Sequence, residues 1–211
     1  MAIVTNVRTI RRRIRSVQNT AKITKAMQMV AASKMRKAQQ RVIASRPYAV
    51  KLSEILVDIK ATLDDEDIQN PLLLTRLVKA VMVIHITSDR GLCGGLNSNL
   101  NKSMGNFVLA QDNPVSMITI GKKGRDFMVR SGASVSAEFT GIGDQPSYDS
   151  ILPVGKLAMD AYIGGSVDKV FISFAEFVNT TLQRPLLRQL LPLDIAKTLP
   201  SSTGQYFYEP D

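Results

Sequence analysis

The sequence is poor in the residues from which most catalytic and metal sites are built. It has one cysteine, one histidine and no tryptophan. The single cysteine, Cys93, excludes an internal disulfide and a cysteine-rich zinc site, and it suits a reducing compartment. The single histidine, His85, excludes a metal site built on paired histidines and makes Ser-His-Asp or Cys-His catalysis depend on one residue. We accordingly expect no metal site of these kinds, and we assign the chain no cofactor.

Long apolar runs are also absent. The sequence contains no run of eighteen apolar residues, whereas a helix that crosses a bilayer needs about 20. Its first residues, MAIVTNVRTIRRR, lack the apolar core of a secretory signal. The sequence thus predicts neither a membrane-spanning helix nor secretion.

Acidic residues are missing from the beginning of the chain, where the first is Glu54. Residues 1–60 hold 14 Lys and Arg against two acids, a net charge of +12, whereas residues 61–211 hold 13 against 16, a net charge of −3. The whole chain carries a formal charge of +9. This asymmetry favours an acidic partner, which could be nucleic acid, an anionic membrane or an acidic protein surface.

The basic segment has the composition of one long helix. Between Val7 and Leu63 there is no glycine and a single proline, Pro47. Good helix formers dominate this stretch, so we expect a helix to about residue 60, roughly 80 Å long. Because Pro47 lacks a backbone donor, it is expected to kink or restart the helix.

Apolar or small residues recur in this helix at alternating steps of three and four, with one polar break at Gln28. The series is Ile3, Val7, Ile10, Ile14, Val17, Ala21, Thr24, Gln28, Ala31, Met35, Ala38 and Val42. This pattern predicts one strand of a left-handed coiled coil, which we call the seam. Further apolar residues lie off the seam in residues 21–33, which is typical of a helix surrounded by protein. Residues 61–211 contain no comparable segment, so the partner helix belongs to another chain or to a missing part of this one.

The remainder predicts a small, mostly parallel three-layer α/β sheet domain, from which the long N-terminal coiled-coil helix protrudes. Strands and helices alternate, and such alternation is typical of a Rossmann-like fold. Strands are expected at residues 78–87, 115–120, 134–140 and 169–180, and helices at 97–111, 124–131 and 150–163, with Pro153 in the first turn of the last helix. We divide the chain into a helix over residues 1–63 with a kink near residue 47, an acidic linker over 64–76 and a base domain over 77–211.

The glycine-rich loop at residues 88–95 (SDRGLCGG) follows the first strand, where α/β folds often bind ligands. It could cradle a phosphate in a small nucleotide-binding enzyme, but neither the dinucleotide nor the P-loop motif is present. Cys93 could act as a nucleophile beside Arg90, yet no base is in range.

His85, inside an apolar strand, is interpreted as a hydrogen-bonded core residue. The arginines of the N-terminal helix leave an alternative open, namely an α/β protein that binds nucleic acid through a basic arm.

Several longer motifs resemble the gamma subunit of F-type ATP synthases. Its N-terminal helix is matched by residues 11–20 (RRRIRSVQNT), 23–27 (ITKAM) and 29–35 (MVAASKM). Its first strand and loop are matched by residues 87–97 (TSDRGLCGGLN). Further matches are residues 44–48 (ASRPY), 189–193 (QLLPL) and 208–211 (YEPD). The resemblance covers essentially the whole chain, with the motifs in the family's order.

This resemblance implies a central rotor shaft that couples ion-driven rotation of the membrane c ring to ATP synthesis or hydrolysis. The N-terminal helix is expected inside a ring of alternating alpha and beta subunits, paired with the family's C-terminal helix. The base domain is expected beside the epsilon and c subunits. ATP chemistry then belongs to the ring, so the chain is expected to be non-catalytic. Nucleic acid is not expected among the partners.

Individual positions follow from the same resemblance. Contacts with the alpha–beta ring are expected at Ile23, Lys25, Met27, Met29, Ser33, Lys34 and Met35, with Met27 facing the beta subunits. Contacts with epsilon and the c ring are expected at Tyr206, Tyr208 and Glu209. The base-domain loop consists of Asp89, Arg90, Gly91, Cys93, Gly94, Gly95 and Asn97, and no catalysis is assigned to it.

In the family the chain continues after the YEPD segment into the C-terminal helix, whereas this sequence stops at Asp211. The resemblance therefore predicts a fragment or a shortened gamma subunit. Because the first motif begins almost at Met1, we expect a bacterial protein bound peripherally to the cytoplasmic side of the cell membrane through its complex.

Overall fold

A computed structural model describes residues 7–62, 70–143 and 145–193, apart from the side chains of residues 53 and 56–62. The described chain divides into two compact units with a boundary at residues 58 and 59. The first contains most of a long helix, and the second contains a five-stranded sheet. Each unit is described here by itself.

The first unit contains helix α1 as far as Asp58. The whole helix, Val7–Thr62, is 56 residues long. At 1.5 Å per residue its length is about 84 Å. The predicted long helix is thus confirmed over the described residues. The helix continues through Pro47, so it does not restart there, while the kink stays a prediction.

The second unit contains five strands and three helices. In chain order they are β1 Val81–Ile86, α2 Leu96–Leu109, β2 Val115–Ile120, α3 Lys122–Arg130, β3 Ser134–Phe139, α4 Tyr148–Ile163, β4 Lys169–Phe177 and β5 Gln183–Leu191. The strand order is β3-β2-β1-β4-β5. The first four strands are mutually parallel, and β5 is antiparallel to β4. This arrangement confirms the mostly parallel α/β fold.

Two predicted details are wrong. No strand is predicted between residue 180 and Pro192, but β5 occupies most of that stretch and forms a hairpin with β4. Pro153 lies in the second turn of α4, because the helix begins at Tyr148 after the side chain of Ser147 accepts a hydrogen bond from the Ser150 amide. The helix start is therefore set by Ser147, a good N-cap residue, and not by the proline.

The connections explain the three layers. From β1 the chain moves through α2 to β2 and through α3 to β3, always toward the same edge of the sheet. It then returns through α4 to β4, on the other side of β1. Since such crossovers are nearly always right-handed, reversing the direction moves the helix to the opposite face. Helices α2 and α3 accordingly cover one face and α4 covers the other.

Each face has its own apolar core. On the α4 face, Met82 and Ile84 of β1 pack with Val154, Ala158 and Tyr162 of the helix. On the opposite face the core consists of Val81, Val83, Met104, Met117 and Met128, which come from β1, α2, β2 and α3. Strand β1 is therefore buried on both sides, as its unbroken apolar sequence predicts.

The chain passes very close to β1 at Gly121, between β2 and α3. Gly121 has a φ of +95°, and a Cβ atom built there would lie 2.2 Å from the carbonyl oxygen of Thr87. Its amide donates to the carbonyl of Phe139. Only glycine fits this position, because both the backbone conformation and the available space exclude a side chain.

We predict that Gly121→Ala lowers the free energy of unfolding by about 3 kcal/mol or more, since backbone strain and overpacking each contribute. Gly132→Ala is the matched control: its φ is +77°, but a Cβ atom there meets nothing within 4 Å. The control should lose only about 1–2 kcal/mol, the cost of the left-handed backbone. Urea unfolding of both variants measures the difference, and equal losses would contradict the close contact at Thr87.

Candidate functional site

The residues predicted to touch the alpha–beta ring lie on the surface of α1. Ile23, Met27 and Met29 each expose more than 60% of their surface, and Met35 exposes 46%. The remaining members of the group, Lys25, Ser33 and Lys34, are exposed as well. Large apolar side chains at such exposure are unusual in number for one helix, which is typical of a surface that another protein covers.

The seam is exposed along the same helix. Ile10, Ile14 and Val17 at its start expose 42%, 51% and 68% of their surface. Val42 at its end exposes 40%. The apolar pattern found in the sequence thus corresponds to a physical stripe that is accessible to a partner.

In the middle of the seam a shallow depression of about 580 Å³ lies where the side chains are small. Ala21 and Thr24 line it together with Val17, Thr20 and Gln28. The hydroxyl of Thr24 donates to the carbonyl of Thr20, and that of Thr20 donates to the carbonyl of Ser16. Because both hydroxyls are satisfied on their own helix, the threonines offer the seam an apolar surface. A second helix could approach closely here.

The glycine-rich loop is organised by the carboxylate of Asp89. One oxygen accepts a hydrogen bond from the amide of Lys122 at 3.0 Å, and the other accepts one from the amide of Gly141 at 2.9 Å. The carboxylate therefore connects the loop after β1 with the start of α3 and with the segment after β3. Its negative charge also suits the N-terminus of α3.

Asn97 holds the loop from within. Its side-chain oxygen accepts from the amide of Ser88 at 3.2 Å. Its side-chain nitrogen donates to the hydroxyl of Ser88 at 2.8 Å and to the sulfur of Cys93 at 3.1 Å. Arg90, Gly91, Gly94 and Gly95 are exposed, whereas Asp89, Cys93 and Asn97 are half-buried. The structure thus brings the predicted loop residues together, with the half-buried ones in supporting positions.

The start of α3 is not available to a phosphate. The amide of Lys122 is bonded to Asp89, that of Lys123 to the carbonyl of Ser88, and that of Gly124 to the hydroxyl of Thr87. A phosphate site at a helix N-terminus needs such amides to point toward the ligand. Protein acceptors occupy them here, so the start of α3 offers no anion site. The hypothesis that Gly91–Gly95 hold a phosphate concerns the preceding loop and stays a prediction.

His85 lies in the core between the sheet and the helices, with no exposed surface. Its Nε2 is 2.9 Å from the side-chain oxygen of Asn101, and its Nδ1 is 3.2 Å from the hydroxyl of Ser173. Since the nitrogen of Asn101 donates to the carbonyl of Lys123, its oxygen faces the ring, and Nε2 carries the proton. Burial lowers the pKa of His85 below its ordinary value, against the opposing effect of the Asn101 hydrogen bond. The predicted core histidine is confirmed.

A cluster that the sequence analysis missed lies before β1. Arg76 donates to the backbone carbonyls of Tyr162 and Val167, and its guanidinium lies over the Tyr162 ring at 4.5 Å. Asp168 lies beside it. The only available signal is an arginine between Thr75 and Leu77, just ahead of a strand, which by itself is unremarkable.

Some predictions lie outside the described residues. These are the contacts of Tyr206, Tyr208 and Glu209, residues 64–69 of the acidic linker, and residues 194–211 of the predicted base domain. Within residues 7–62, 70–143 and 145–193, no three His, Cys, Asp or Glu side chains are grouped as a metal site would require. No helix in the described part of the chain is long and apolar enough to cross a membrane.

Solved structures share this fold. The central stalk of the Tetrahymena thermophila mitochondrial ATP synthase aligns with a TM-score of 0.64 and 23% identity, covering 87% of this chain and 80% of the other. The rotor of the Euglena gracilis mitochondrial ATP synthase aligns with a TM-score of 0.58 and 16% identity, covering 87% and 62%. This chain therefore shares its fold with both of these structures.

Sequence relatives define the family. A family model described as ATP synthase matches residues 6–211. The ATP synthase gamma chain of Dehalococcoides mccartyi is 47% identical over 206 residues, which cover 98% of this chain and 72% of the relative. That of Nitrosococcus oceani is 44% identical over 209 residues, covering 96% and 72%. The chain belongs to the ATP synthase gamma chain family, and the nucleic-acid-binding alternative finds no support among these relatives.

The buried state of His85 predicts a pH dependence. Folding lowers the pKa of the His85 ring. As the pH falls below about 6.5, the unfolded chain therefore takes up a proton at this residue before the folded chain does. Stability should therefore fall from pH 7 toward pH 5, by at most about 1.4 kcal/mol per pH unit for one proton. Urea unfolding across this range should show the slope in the wild type and its loss in His85→Gln, since the chain has no other histidine. An unchanged slope in the variant would contradict this assignment.

The role of Asp89 predicts a loss of stability without loss of the fold. Asp89→Ala removes a charged acceptor from two backbone amides, and we expect about 1–2 kcal/mol less free energy of unfolding. The matched control is Asp112→Ala, at an exposed carboxylate, which should cost less than about 0.5 kcal/mol. If both variants unfold at the same urea concentration, Asp89 does not hold the loops together.

Proposed function

We propose that the chain is the non-catalytic central-stalk, or rotor, subunit of an F-type ATP synthase. It couples ion-driven rotation of the membrane c ring to ATP synthesis or hydrolysis in the alpha–beta ring. In this proposal α1 is a shaft inside the ring, and the base domain over residues 77–211 meets the epsilon and c subunits. The chain is held at the cytoplasmic side of a bacterial membrane through these partners.

The observation that carries the proposal is the exposed surface of α1. Its apolar seam, including Ile14 and Val17, is accessible to a second helix, and coiled-coil pairing would bury it. The off-seam residues Ile23, Met27 and Met29 are exposed on the same helix, which supports a protein sleeve around the pair. The net charge of +12 over residues 1–60 favours a sleeve with acidic loops.

A non-catalytic role is supported by the base domain. The chain's single histidine is enclosed in the core with neutral partners, Asn101 and Ser173. The amides at the start of α3 already have protein acceptors. Neither arrangement offers a base for catalysis or an anion site, which agrees with ATP chemistry in the surrounding ring.

Motion of such a shaft would act mechanically. A rigid helix pair that turns inside a ring of alternating subunits presents a different side to each of them in succession, and a subunit with two stable conformations responds by switching. Exposed methionines such as Met27 suit a sliding contact, because their flexible, polarisable side chains adapt to changing surroundings.

The seam gives a direct test. Ala21→Gln inserts a longer polar side chain at the depression in the seam, where overpacking and a buried amide each cost about 1–3 kcal/mol. We expect the variant to bind the alpha–beta ring at least about tenfold more weakly. The control Lys22→Gln makes the neighbouring change off the seam and should weaken binding less than about threefold.

Binding is measured by titrating the purified ring with labelled chain carrying whatever residues follow Asp211 in the cell. If neither the wild-type chain nor the control binds the ring, the rotor function is wrong. If Ala21→Gln binds as well as the control, the seam is not the buried surface.

A further inference from the structure

The segment just before β1 is held to the sheet domain by several polar contacts. Residues 70–80, which we call the lead-in segment, have no regular secondary structure. Irregular backbone needs partners for its amides and carbonyls when it is packed against other protein. In the lead-in segment these partners come from α4, from the start of β4 and from the chain after β5.

Asp168 binds two of the backbone amides of the lead-in segment. Its Oδ2 accepts hydrogen bonds from the amides of Lys79 at 2.8 Å and of Ala80 at 3.2 Å. Its own amide donates to the carbonyl of Ala80 at 2.9 Å. Asp168 exposes only 7% of its surface, so these bonds are shielded from water. The last residues of the lead-in segment are thereby fixed to the start of β4.

Tyr162 supplies a second attachment, six residues upstream. Its hydroxyl donates to the carbonyl of Leu74 at 2.6 Å, and the residue is completely buried. Further along, the amide of Leu193 donates to the carbonyl of Leu72 at 3.4 Å. The lead-in segment is therefore attached at both of its ends.

Arg76 joins these attachments in the middle. It donates through Nη2 to the carbonyl of Tyr162 and, at 3.1 Å, to the carbonyl of Val167. Its guanidinium packs over the Tyr162 ring, and its Nε lies 3.5 Å from Oδ1 of Asp168. A planar guanidinium can make all these contacts at once, whereas a lysine ammonium cannot.

The surroundings of this cluster shift the pKa values of Asp168 and Tyr162. The Lys79 amide first, then the Ala80 amide and the Arg76 charge, hold the pKa of Asp168 below its ordinary value. Burial raises the pKa of the Tyr162 phenol. At neutral pH the cluster is therefore an aspartate, an arginine cation and a neutral tyrosine. Removing Arg76 would leave the buried carboxylate of Asp168 without its counter-charge, which is costly.

The position of this cluster in the chain is what gives it significance. Helix α1 ends at Thr62 and β1, the middle strand of the sheet, begins at Val81. The covalent path between them runs through residues 63–80. A force that the α1 backbone passes to β1 along this path therefore reaches the lead-in segment before it reaches the sheet.

We infer that Arg76, together with Asp168 and Tyr162, is the mechanical anchor through which torque passes between α1 and the base domain. This inference rests on the proposed rotor function. Arg76 is a positioning residue in this role: it keeps the lead-in segment from yielding under load, and it takes no part in ATP chemistry.

The test uses the complete complex with the full native chain, reconstituted in proton-tight vesicles. Arg76→Met retains an unbranched side chain of similar length but removes the charge and the donors. The amides of Lys79 and Ala80 should exchange hydrogen about tenfold faster, because a charge-assisted contact that supports them is gone. As the opposing proton gradient rises, the number of protons that the variant pumps per ATP hydrolysed should fall about twofold or more below that of the wild type. Its rate of ATP hydrolysis without a gradient should stay within about twofold of the wild-type rate.

The matched control is Met128→Ala, which removes a buried side chain from the opposite face of the sheet and should lower the unfolding temperature of the domain at least as much as Arg76→Met does. A purely structural role for Arg76 predicts the same coupling in both variants, and that result would overturn the anchor. If Arg76→Met does not assemble, Arg76→Lys replaces it, with a smaller loss of coupling expected. Failure of the wild-type complex to pump would count against the rotor function itself and would be distinguishable from loss in the variant alone.

Discussion

A helix of 56 residues cannot bury its own apolar seam, and this constraint explains most of what is unusual in the chain. Helices in proteins gain most of their stability from packing of an apolar face against other protein. In α1 that face, from Ile10 to Val42, is exposed in the described residues. The composition of the helix, rich in strong helix formers and free of glycine, favours a stiff rod, and its seam calls for another helix. The positive charge of the helix, which has no acidic residue before Glu54, then favours an acidic protein around the pair.

The base domain holds its middle strand in place at both ends. Its middle strand, β1, is buried on both faces, and the loop after it is tied by Asp89 to α3 and to the chain after β3. The segment before β1 is tied by Arg76 and Asp168 to α4 and β4. Both ends of the strand are thus fixed by charged side chains that bind backbone groups. Such ties resist displacement in a way that apolar packing, which has no preferred direction, does not.

Much of this could be predicted from the sequence. Strand β2 agrees with its prediction at both ends, and His85 was identified as a core residue because it interrupts an apolar run that only a doubly buried strand explains. Strand β5 was missed because Pro185 and two arginines, Arg184 and Arg188, obscure its pattern. An edge strand tolerates such residues, so the pairing with β4 decided the outcome. The roles of Arg76 and Asp168 depend on contacts between residues about 90 positions apart, which no local pattern records.

Single-molecule rotation tests the central claim most directly. In a Cys93→Ser background, Leu109→Cys provides a labelling site at the end of α2, where Leu109 is 86% exposed. A bead attached there, on a complex whose alpha–beta ring is fixed to a surface, should turn continuously in one direction when ATP is added. A bead that stays still while the same ring hydrolyses ATP would mean that the chain does not rotate, and it would contradict the proposed role of α1 as a shaft.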